Sequence, residues 1–450
     1  MKVLYPQDVT VDSIHPRHQK VMSALTRLKD DFDVEVIGRI PENTFRDMTG
    51  LDLRYRDFFS SRAFSRELSE NDIEEAEAFL GVPFDYLAAS TKRRWGWLCK
   101  KDLREKLARY VLAWKEIFQG ADVLFNFMDC LLFINTAELV AERMGVKNVK
   151  PINGRLLKES LIFWDKDNMP IYYRESDDGV LEEFRSRTTE KKEIVKLDSK
   201  SGNKLGNMMK KVPFIPHKIS VVLKGGAKMD ADVPDLPQKY WRLLDRSAKH
   251  LIYPRLHSIF FDRPRKGERY FLFSIHYEWE AQIAYREYFL DQLGTAKQMA
   301  KCLPQGTYIY VKVHPHWRNA DQGLGTVLDL KREKRVRLIH PEENTSELIR
   351  DSIGVIAINS TVGYEALLME KPLVVLGHEA YKDVGIDVKD LNRLPRVLMA
   401  IKDGEYKVDG EAYADFLKEY AKNIIPLDDE GRLAGEIKDV LRWSASGRKD

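Results

Sequence analysis

The sequence predicts an α/β protein with two Rossmann-like domains that face one another across a cleft. Its 450 residues are enough for two or three domains. Strand-like and helix-like segments alternate from Lys2 onward and again from Arg269 onward, which indicates parallel sheets with crossover helices. A composition of 44% hydrophobic and 32% charged residues is typical of a globular protein with a large core.

The N-terminal domain is predicted over residues 1–180. Its elements are strands at Lys2–Tyr5, Asp33–Ile37, Ala121–Phe127 and Val146–Val149, and helices at Gln19–Lys29, Ser69–Leu80, Asp102–Gln119 and Asn135–Met144. The last of these helices is followed by Gly145, the residue type that most often ends a helix. The first strand, helix and second strand form one βαβ unit, which is the basis for predicting a parallel sheet.

Residues 181–265 are predicted to be a basic connector or insertion. Residues 185–228 contain twelve Lys or Arg and three acidic residues, a net charge of +9 in a chain whose formal charge is +3. One interpretation is a solvated linker, because runs of charge usually are solvated. The other is a basic surface for anionic lipid or an anionic glycan acceptor. RNA is the weakest option, because no stacking aromatic residues alternate with the lysines.

The C-terminal domain is predicted over residues 266–410, followed by C-terminal helices at 411–450. Its elements are strands at Tyr270–Ile275, Thr307–Val313, Val336–Ile339, Gly354–Ile358 and Leu373–Leu376, and helices at Tyr285–Leu303, after the Asn344 cap, at Val362–Met369 and within Glu411–Arg442. Helices at the end of such a chain often pack back across the cleft between the two domains.

Composition also excludes several classes of protein. The three cysteines, Cys99, Cys130 and Cys302, form no CxxC pair and cannot make a disulfide framework or a four-thiolate zinc site. No signal-peptide core and no run of about 18 apolar residues is present, so we expect a cytoplasmic protein, with peripheral contact to the inner face of the membrane left open. The small net charge argues against nucleic acid as a partner.

Three polar segments follow predicted strands of the C-terminal domain, where ligands bind in open α/β sheets. The first is His314-Pro315, whose histidine would donate to a phosphate or simply mark a turn. The second runs from Asn359 to Glu365 and gathers hydroxyls at a helix N-terminus, either as an anion site or as an ordinary cap. The third, His276 to Glu280, places two carboxylates beside an aromatic ring. One of them could be a nucleophile or base, or both could be acidic residues of an exposed loop.

These segments together resemble the capsule polysaccharide biosynthesis family of glycosyltransferases, which includes the bacterial Kdo transferases. The resemblance rests on His276-Tyr277-Glu278-Trp279-Glu280-Ala281-Gln282-Ile283, on Lys312-Val313-His314-Pro315, and on Ser360-Thr361-Val362-Gly363-Tyr364-Glu365-Ala366-Leu367-Leu368-Met369-Glu370-Lys371-Pro372. It extends from Tyr270 to Gly377, and the last block is the most specific. The family carries a Gln-x-x-Asp-Asp-x-x-Ile segment after a strand. At the two aspartates of that segment this chain has Trp279 and Glu280, and at the glutamine it has His276.

The resemblance implies a GT-B fold in which the C-terminal domain holds a nucleotide-activated sugar as co-substrate, CMP-linked as a first hypothesis. The donor-binding residues would be His314, Pro315, Lys312, Ser360, Thr361, Gly363 and Glu365, of which Gly363 lets a ligand or a neighbouring backbone approach closely and Glu365 accepts from ribose. Glu280 would be the nucleophile or base, with His276 beside it. No metal is needed when a histidine and a helix N-terminus neutralise the leaving phosphate.

The N-terminal domain would bind the acceptor, a surface polysaccharide or glycolipid. Candidate acceptor-binding residues are Asp8, Asp12, His15 and Arg17, which otherwise are turn or capping residues, with Asp129 and Arg155 as weaker candidates. Two other functions keep the same fold: a nucleotide-sugar epimerase or hydrolase, and a non-catalytic subunit of glycan assembly. Turnover of donor separates the enzymes from the subunit, and dependence on an acceptor separates the transferase from both.

Overall fold

A computed structural model of the protein contains two parallel-rich sheets, each covered by helices. It describes residues 1–7, 16–39, 41–95, 103–127, 132–157, 159–176, 179–189, 261–276, 291–313 and 324–446. The strands are β1 (Lys2–Gln7), β2 (Asp33–Gly38), β3 (Arg54–Asp57), β4 (Val123–Phe125), β5 (Lys147–Asn153), β6 (Ser160–Trp164), β7 (Arg269–Ser274), β8 (Thr307–Lys312), β9 (Val336–Ile339), β10 (Gly354–Ala357), β11 (Leu373–Val375), β12 (Ile386–Asp387) and β13 (Ile425–Pro426).

The helices lie on both faces of the two sheets. They are α1 (Pro16–Thr26), α2 (Glu42–Thr49), α3 (Glu70–Leu80), α4 (Phe84–Trp95), α5 (Arg104–Ile117), α6 (Leu132–Met144), α7 (Val180–Thr189), α8 (Gln292–Cys302), α9 (Leu324–Lys331), α10 (Thr345–Asp351), α11 (Thr361–Leu368), α12 (Leu394–Asp403), α13 (Gly410–Lys422) and α14 (Glu430–Ser446). None of the helices in the described ranges is long and apolar enough to cross a membrane.

The N-terminal sheet has the order β13-β6-β5-β4-β1-β2-β3. Its strands from β5 to β3 are parallel, as the βαβ pattern predicts, whereas β6 pairs antiparallel with both β5 and β13. Elements α2, β3, α4, β6 and β13 were not predicted from the sequence, and β13 lies within Glu411–Arg442, which the sequence predicts to be largely helical. Helix α3 begins with a reciprocal capping box between Ser69 and Asp72, which satisfies two N–H groups that the helix leaves without partners.

The C-terminal sheet has the order β12-β11-β10-β7-β8-β9, and all its strands are parallel. Both faces of the sheet are buried. Phe271 and Phe273 of β7 pack under α8 and α12 on one face, and Leu272 packs on the other face in the cluster that includes α11 and α13. The predicted fold class, α/β with two Rossmann-like units, is confirmed.

The chain crosses between the two units at its end. Helix α13 packs on α11 of the C-terminal unit, and α14 packs on α1 of the N-terminal unit. The segment between them is held in place by Asn423, whose Oδ1 accepts from the N–H groups of Tyr173 and Arg174 at 2.9 and 3.1 Å. The prediction that the terminal helices pack back across the molecule matches this arrangement.

The carboxyl edges of the two sheets face each other. Arg155 follows β5 in the N-terminal unit, and its Nη2 lies 3.7 Å from Oε2 of Glu379, which follows β11 in the C-terminal unit. A second contact between the units joins His378 Nε2 to the carbonyl oxygen of Asp167 at 2.8 Å, away from that edge because Asp167 follows the antiparallel strand β6. In α/β sheets ligands bind at this edge, so the two edges define the region in which a site is expected.

Candidate functional site

The order of the C-terminal sheet reverses between β7 and β10, because the chain runs outward from β7 to β8 and β9 and then returns to β10 on its other side. Such a switch point leaves a crevice at the carboxyl ends of the two strands, where ligands bind in this class of sheet. His276 follows β7, and Asn359 and Ser360 follow β10. Two of the three segments predicted from the sequence therefore meet at this point.

Ser360 is the N-cap residue of α11. Its Oγ accepts the N–H of Val362 at 3.2 Å, so part of its hydrogen-bonding capacity is used by the helix itself. Thr361, the first helical residue, is exposed, so its hydroxyl and the positive end of the helix dipole are open to a ligand. Asn359 is 2% exposed, and its Oδ1 has no hydrogen-bond partner in the described structure.

Gly363 is required by a side chain of this protein. A Cβ at this position would lie 2.5 Å from ring atoms of Tyr381, which real contacts do not allow. The Tyr381 hydroxyl donates to the carbonyl oxygen of Ser360 at 3.1 Å, so the ring is anchored where it covers the glycine. The close approach that the sequence suggested at Gly363 is thus made by Tyr381, and it fixes the position of the first turn of α11.

Glu365 and Lys312, both predicted to bind the donor, lie at different distances from the switch point. Glu365 is the fifth residue of α11 and is 8% exposed. Lys312 ends β8, and its Nζ donates to the carbonyl oxygen of Pro341 at 2.6 Å, on the side of β9 and away from β10. Burial lowers the pKa of Lys312 to about 8. The structure does not bring Lys312 together with Ser360.

His276 is held by Gln292, the first residue of α8. The His276 N–H donates to Gln292 Oε1 at 2.7 Å, and Gln292 Nε2 donates to the His276 carbonyl oxygen at 3.2 Å. Gln292 is fully buried and His276 is 7% exposed. The amide therefore continues the hydrogen bonding of the strand by one residue and fixes the backbone from which the imidazole projects.

Glu379 is a fully buried carboxylate close to His276. Its Oε1 accepts from the hydroxyl of Tyr364 at 3.0 Å and from the N–H of Ala380 at 3.2 Å. Burial raises the pKa of Glu379 above its ordinary value, and Arg155, the Ala380 N–H, the Tyr364 hydroxyl and His276 each oppose that rise. The carboxylate thus lies among groups from both units and from both sides of the switch point.

Of the residues predicted to bind the acceptor, Arg17 and Arg155 lie within the described ranges. Arg17, the second residue of α1, hydrogen-bonds to Oδ1 of Asn153, the last residue of β5 and two residues before Arg155. Arg155 therefore lies between a predicted acceptor residue and the C-terminal unit. Other predicted residues fall outside the described ranges: Asp8, Asp12, His15, Asp129, Glu280, His314, Pro315 and most of the basic segment 185–228.

Two residues of this cluster were not identified from the sequence. Glu379 had a usable signal, because Gly377-His378-Glu379 directly follows a predicted strand and so lies on the same edge as the other candidates. Gln292 had none, because it reaches its partner across 16 residues and a buried glutamine looks like any other helical residue in the sequence.

Comparison with known proteins confirms the predicted family resemblance over part of the chain. The model of the family described as capsule polysaccharide biosynthesis protein matches residues 239–394. The capsule polysaccharide export protein KpsS of Escherichia coli is 26% identical over 156 residues, which are 33% of this chain and 38% of KpsS. The match therefore spans well under half of that relative.

Comparison with solved structures finds two kinds of enzyme, both at low TM-scores. The β-Kdo 2,7 transferase of KpsC from Thermosulfurimonas dismutans is 14% identical, with 73% of this chain and 89% of that chain covered and a TM-score of 0.33. The UDP-GlcNAc 2-epimerase from Neisseria meningitidis is 12% identical, with 98% of this chain and 100% of that chain covered and a TM-score of 0.25.

Proposed function

We propose that this chain is a GT-B glycosyltransferase that moves a sugar from a nucleotide-activated donor to a surface polysaccharide or glycolipid acceptor. One observation carries the proposal. The block Ser360–Pro372, which is the most specific part of the resemblance and lies inside the family match, opens α11 at the switch point of a parallel sheet. Sequence similarity and fold geometry therefore indicate the same place.

The donor phosphate would bind at the N-terminus of α11. Thr361 is exposed there, and the helix dipole and a hydroxyl both favour an anion. His314, which follows β8, would share the phosphate charge, and this arrangement works without a metal ion. Glu280 is the nucleophile or base of the proposal, and the donor is a CMP-linked Kdo-like or sialic-type acid.

The acceptor would approach from the N-terminal unit. Arg17 at the start of α1 supplies positive charge on that side, which suits an anionic glycan or glycolipid. The basic segment 185–228 would hold the protein against the anionic inner face of the membrane. Binding to vesicles containing anionic lipid that is lost at high salt supports this contact, and no binding at any salt concentration removes it.

The first experiment measures thermal stabilisation by CMP, UDP, GDP and dTDP. A ligand at one hundred times its Kd adds about 2.7 kcal/mol to the free energy of unfolding. We expect CMP to stabilise the protein and His314→Ala to remove the effect. The matched control is His340→Ala, because His340-Pro341 is a second His-Pro pair and directly follows β9, and we expect this variant to keep the stabilisation.

The outcomes separate the proposed function from its alternatives. Stabilisation by a different nucleotide keeps the fold and changes the donor, and no stabilisation by any of them favours a non-catalytic subunit. Consumption of a nucleotide sugar without an acceptor favours an epimerase or hydrolase. Glu280→Gln is expected to abolish transfer while nucleotide binding stays. Transfer that continues unchanged in EDTA supports the metal-free chemistry, and loss that Mg²⁺ restores contradicts it.

A further inference from the structure

A buried ion pair joins the candidate donor site to the opposite unit. The Nη2 of Arg155 and Oε2 of Glu379 are 3.7 Å apart, and their side chains are 14% and 1% exposed. The arginine belongs to the loop after β5 and the glutamate to the loop after β11, so the pair spans the two carboxyl edges. Because the arginine keeps the greater exposure, a ligand between the edges meets the guanidinium first.

The glutamate is itself held rigidly. Tyr364 of α11 donates to its Oε1 at 3.0 Å, and the Ala380 N–H donates at 3.2 Å. Tyr364 is fully buried and packs against Tyr420 of α13, with ring centroids 4.8 Å apart. The second oxygen, Oε2, faces the Arg155 guanidinium at 3.7 Å, so a carboxylate held in place by two hydrogen bonds attracts the guanidinium through its charge and favours one position of it.

We propose that Glu379 is a positioning residue: it holds Arg155 of the N-terminal unit opposite His276, where Arg155 contacts the sugar portion of the donor. This role rests on the proposed function. The nucleotide phosphate would bind at α11, within the C-terminal unit. A group that reaches in from the other unit therefore meets the part of the donor that extends beyond the phosphate, which is the sugar. Glu379 acts through Arg155 and does not contact the sugar.

The proposal is tested by comparing the binding of nucleotides and nucleotide sugars. The probes are CMP with CMP-N-acetylneuraminic acid, and UDP with UDP-N-acetylglucosamine, measured by calorimetry on the full chain. In Glu379→Gln we expect the affinity for the bound nucleotide sugar to fall about tenfold, because a charge-assisted contact is lost. The affinity for the nucleotide alone is expected to stay within about twofold, because α11 is unchanged.

A matched control removes a similar ion pair elsewhere. Glu436 of α14 is 14% exposed, pairs with Nε of Arg174 at 3.1 Å and accepts from the hydroxyl of Tyr173 at 2.9 Å. It therefore has the same kinds of partner as Glu379, an arginine and a tyrosine, outside the switch-point cluster. Glu436→Gln is expected to change thermal stability without changing either affinity. If Glu379→Gln does not fold, Arg155→Lys is measured instead. This variant keeps the positive charge but loses the planar guanidinium group.

A double-mutant cycle separates positioning from general structural support. Arg155→Met and Glu379→Gln are expected to lower nucleotide-sugar affinity by similar factors, and the double variant is expected to be no worse than either. Equal loss of nucleotide and nucleotide-sugar affinity, or loss no greater than in Glu436→Gln, overturns the positioning role and leaves the proposed function intact. Absence of binding to every probe in the unchanged protein overturns the proposed function, and the positioning role with it.

Discussion

Arg155 and Glu379 are 3.7 Å apart, although one follows a strand of the N-terminal sheet and the other a strand of the C-terminal sheet. This pair is where the two units meet at their carboxyl edges. Its burial makes it sensitive to the loss of either partner, because a single charge left in a buried site is costly. Substituting either residue should therefore lower the stability of the protein, and this effect can be measured without any ligand.

The first prediction concerns the pH dependence of stability in Arg155→Met. Burial already raises the pKa of Glu379, and removing the guanidinium raises it further. An acid whose folded pKa is above its unfolded value keeps its full contribution below the unfolded pKa and loses it as pH rises through the folded pKa. We expect the variant to be nearly as stable as the unchanged protein at pH 5, and about 3 kcal/mol less stable at pH 8.

Urea unfolding at both pH values measures this difference. The control is the double variant Arg155→Met/Glu379→Gln, which has no carboxylate to ionise. Its stability relative to the unchanged protein is expected to vary much less with pH. A loss of the same size at pH 5 and pH 8 in Arg155→Met shows that the effect comes from lost packing and not from the charge of Glu379.

The second prediction concerns the amide that fixes His276. Gln292→Met keeps the length of the side chain but removes both hydrogen bonds to the His276 backbone. The buried N–H and carbonyl group are then left without partners, so we expect the free energy of unfolding to fall by about 2 kcal/mol. Gln298→Met, on the exposed side of the same helix, is expected to change it by less than about 0.5 kcal/mol. Equal effects of the two changes contradict the role assigned to Gln292.

The sequence predicted the elements that have a strong local pattern. The β7, β8 and β9 strands are rich in aromatic and aliphatic residues, which are typical of strands buried on both faces. It missed β13, because the pairing of Ile425–Pro426 with β6 joins segments about 260 residues apart. No local pattern encodes a partner at that distance.

In the candidate site, too, the residues with a local sequence pattern were predicted and those that depend on distant contacts were not. Ser360 and Thr361 were predicted because strand, hydroxyls and helix follow one another in the sequence. The ring that requires Gly363 comes from Tyr381, 18 residues further along the chain, so the sequence suggested the close approach but not what makes it. The contact between Arg155 and Glu379 depends on how the two units pack, and the local sequence around either residue does not specify it.

The third prediction concerns Lys312. Burial lowers its pKa from 10.5 to about 8, so between these values the unfolded chain binds more protons than the folded one. Stability contributed by this residue therefore rises with pH over that range. We expect the free energy of unfolding, relative to Lys312→Met, to increase by about 2 kcal/mol from pH 7 to pH 10. Lys418→Met, at an exposed position, is the control and is expected to show little change over the same range. If the difference in free energy of unfolding between the unchanged protein and Lys312→Met does not vary with pH, the amine stays hydrated and the prediction is wrong.

The last prediction concerns the packing of α11. Replacing Gly363 by alanine normally favours a helix by about 1 kcal/mol. Here the new Cβ would lie 2.5 Å from the Tyr381 ring, and the ring is tethered to the Ser360 carbonyl oxygen at 3.1 Å, so it cannot retreat freely. Overpacking of a buried site costs about 1–3 kcal/mol, so after the helix gain we expect a net loss of about 1 kcal/mol in urea unfolding.

The control for Gly363→Ala is Gly435→Ala in α14. Gly435 is an exposed helical glycine, and a Cβ there meets nothing within 4 Å. Only the helix preference remains, so this variant is expected to gain about 0.5–1 kcal/mol. Opposite signs for the two substitutions identify the Tyr381 contact as the reason for Gly363. A gain in both would mean that the ring moves aside, and the glycine would then have to be explained by the ligand that α11 binds.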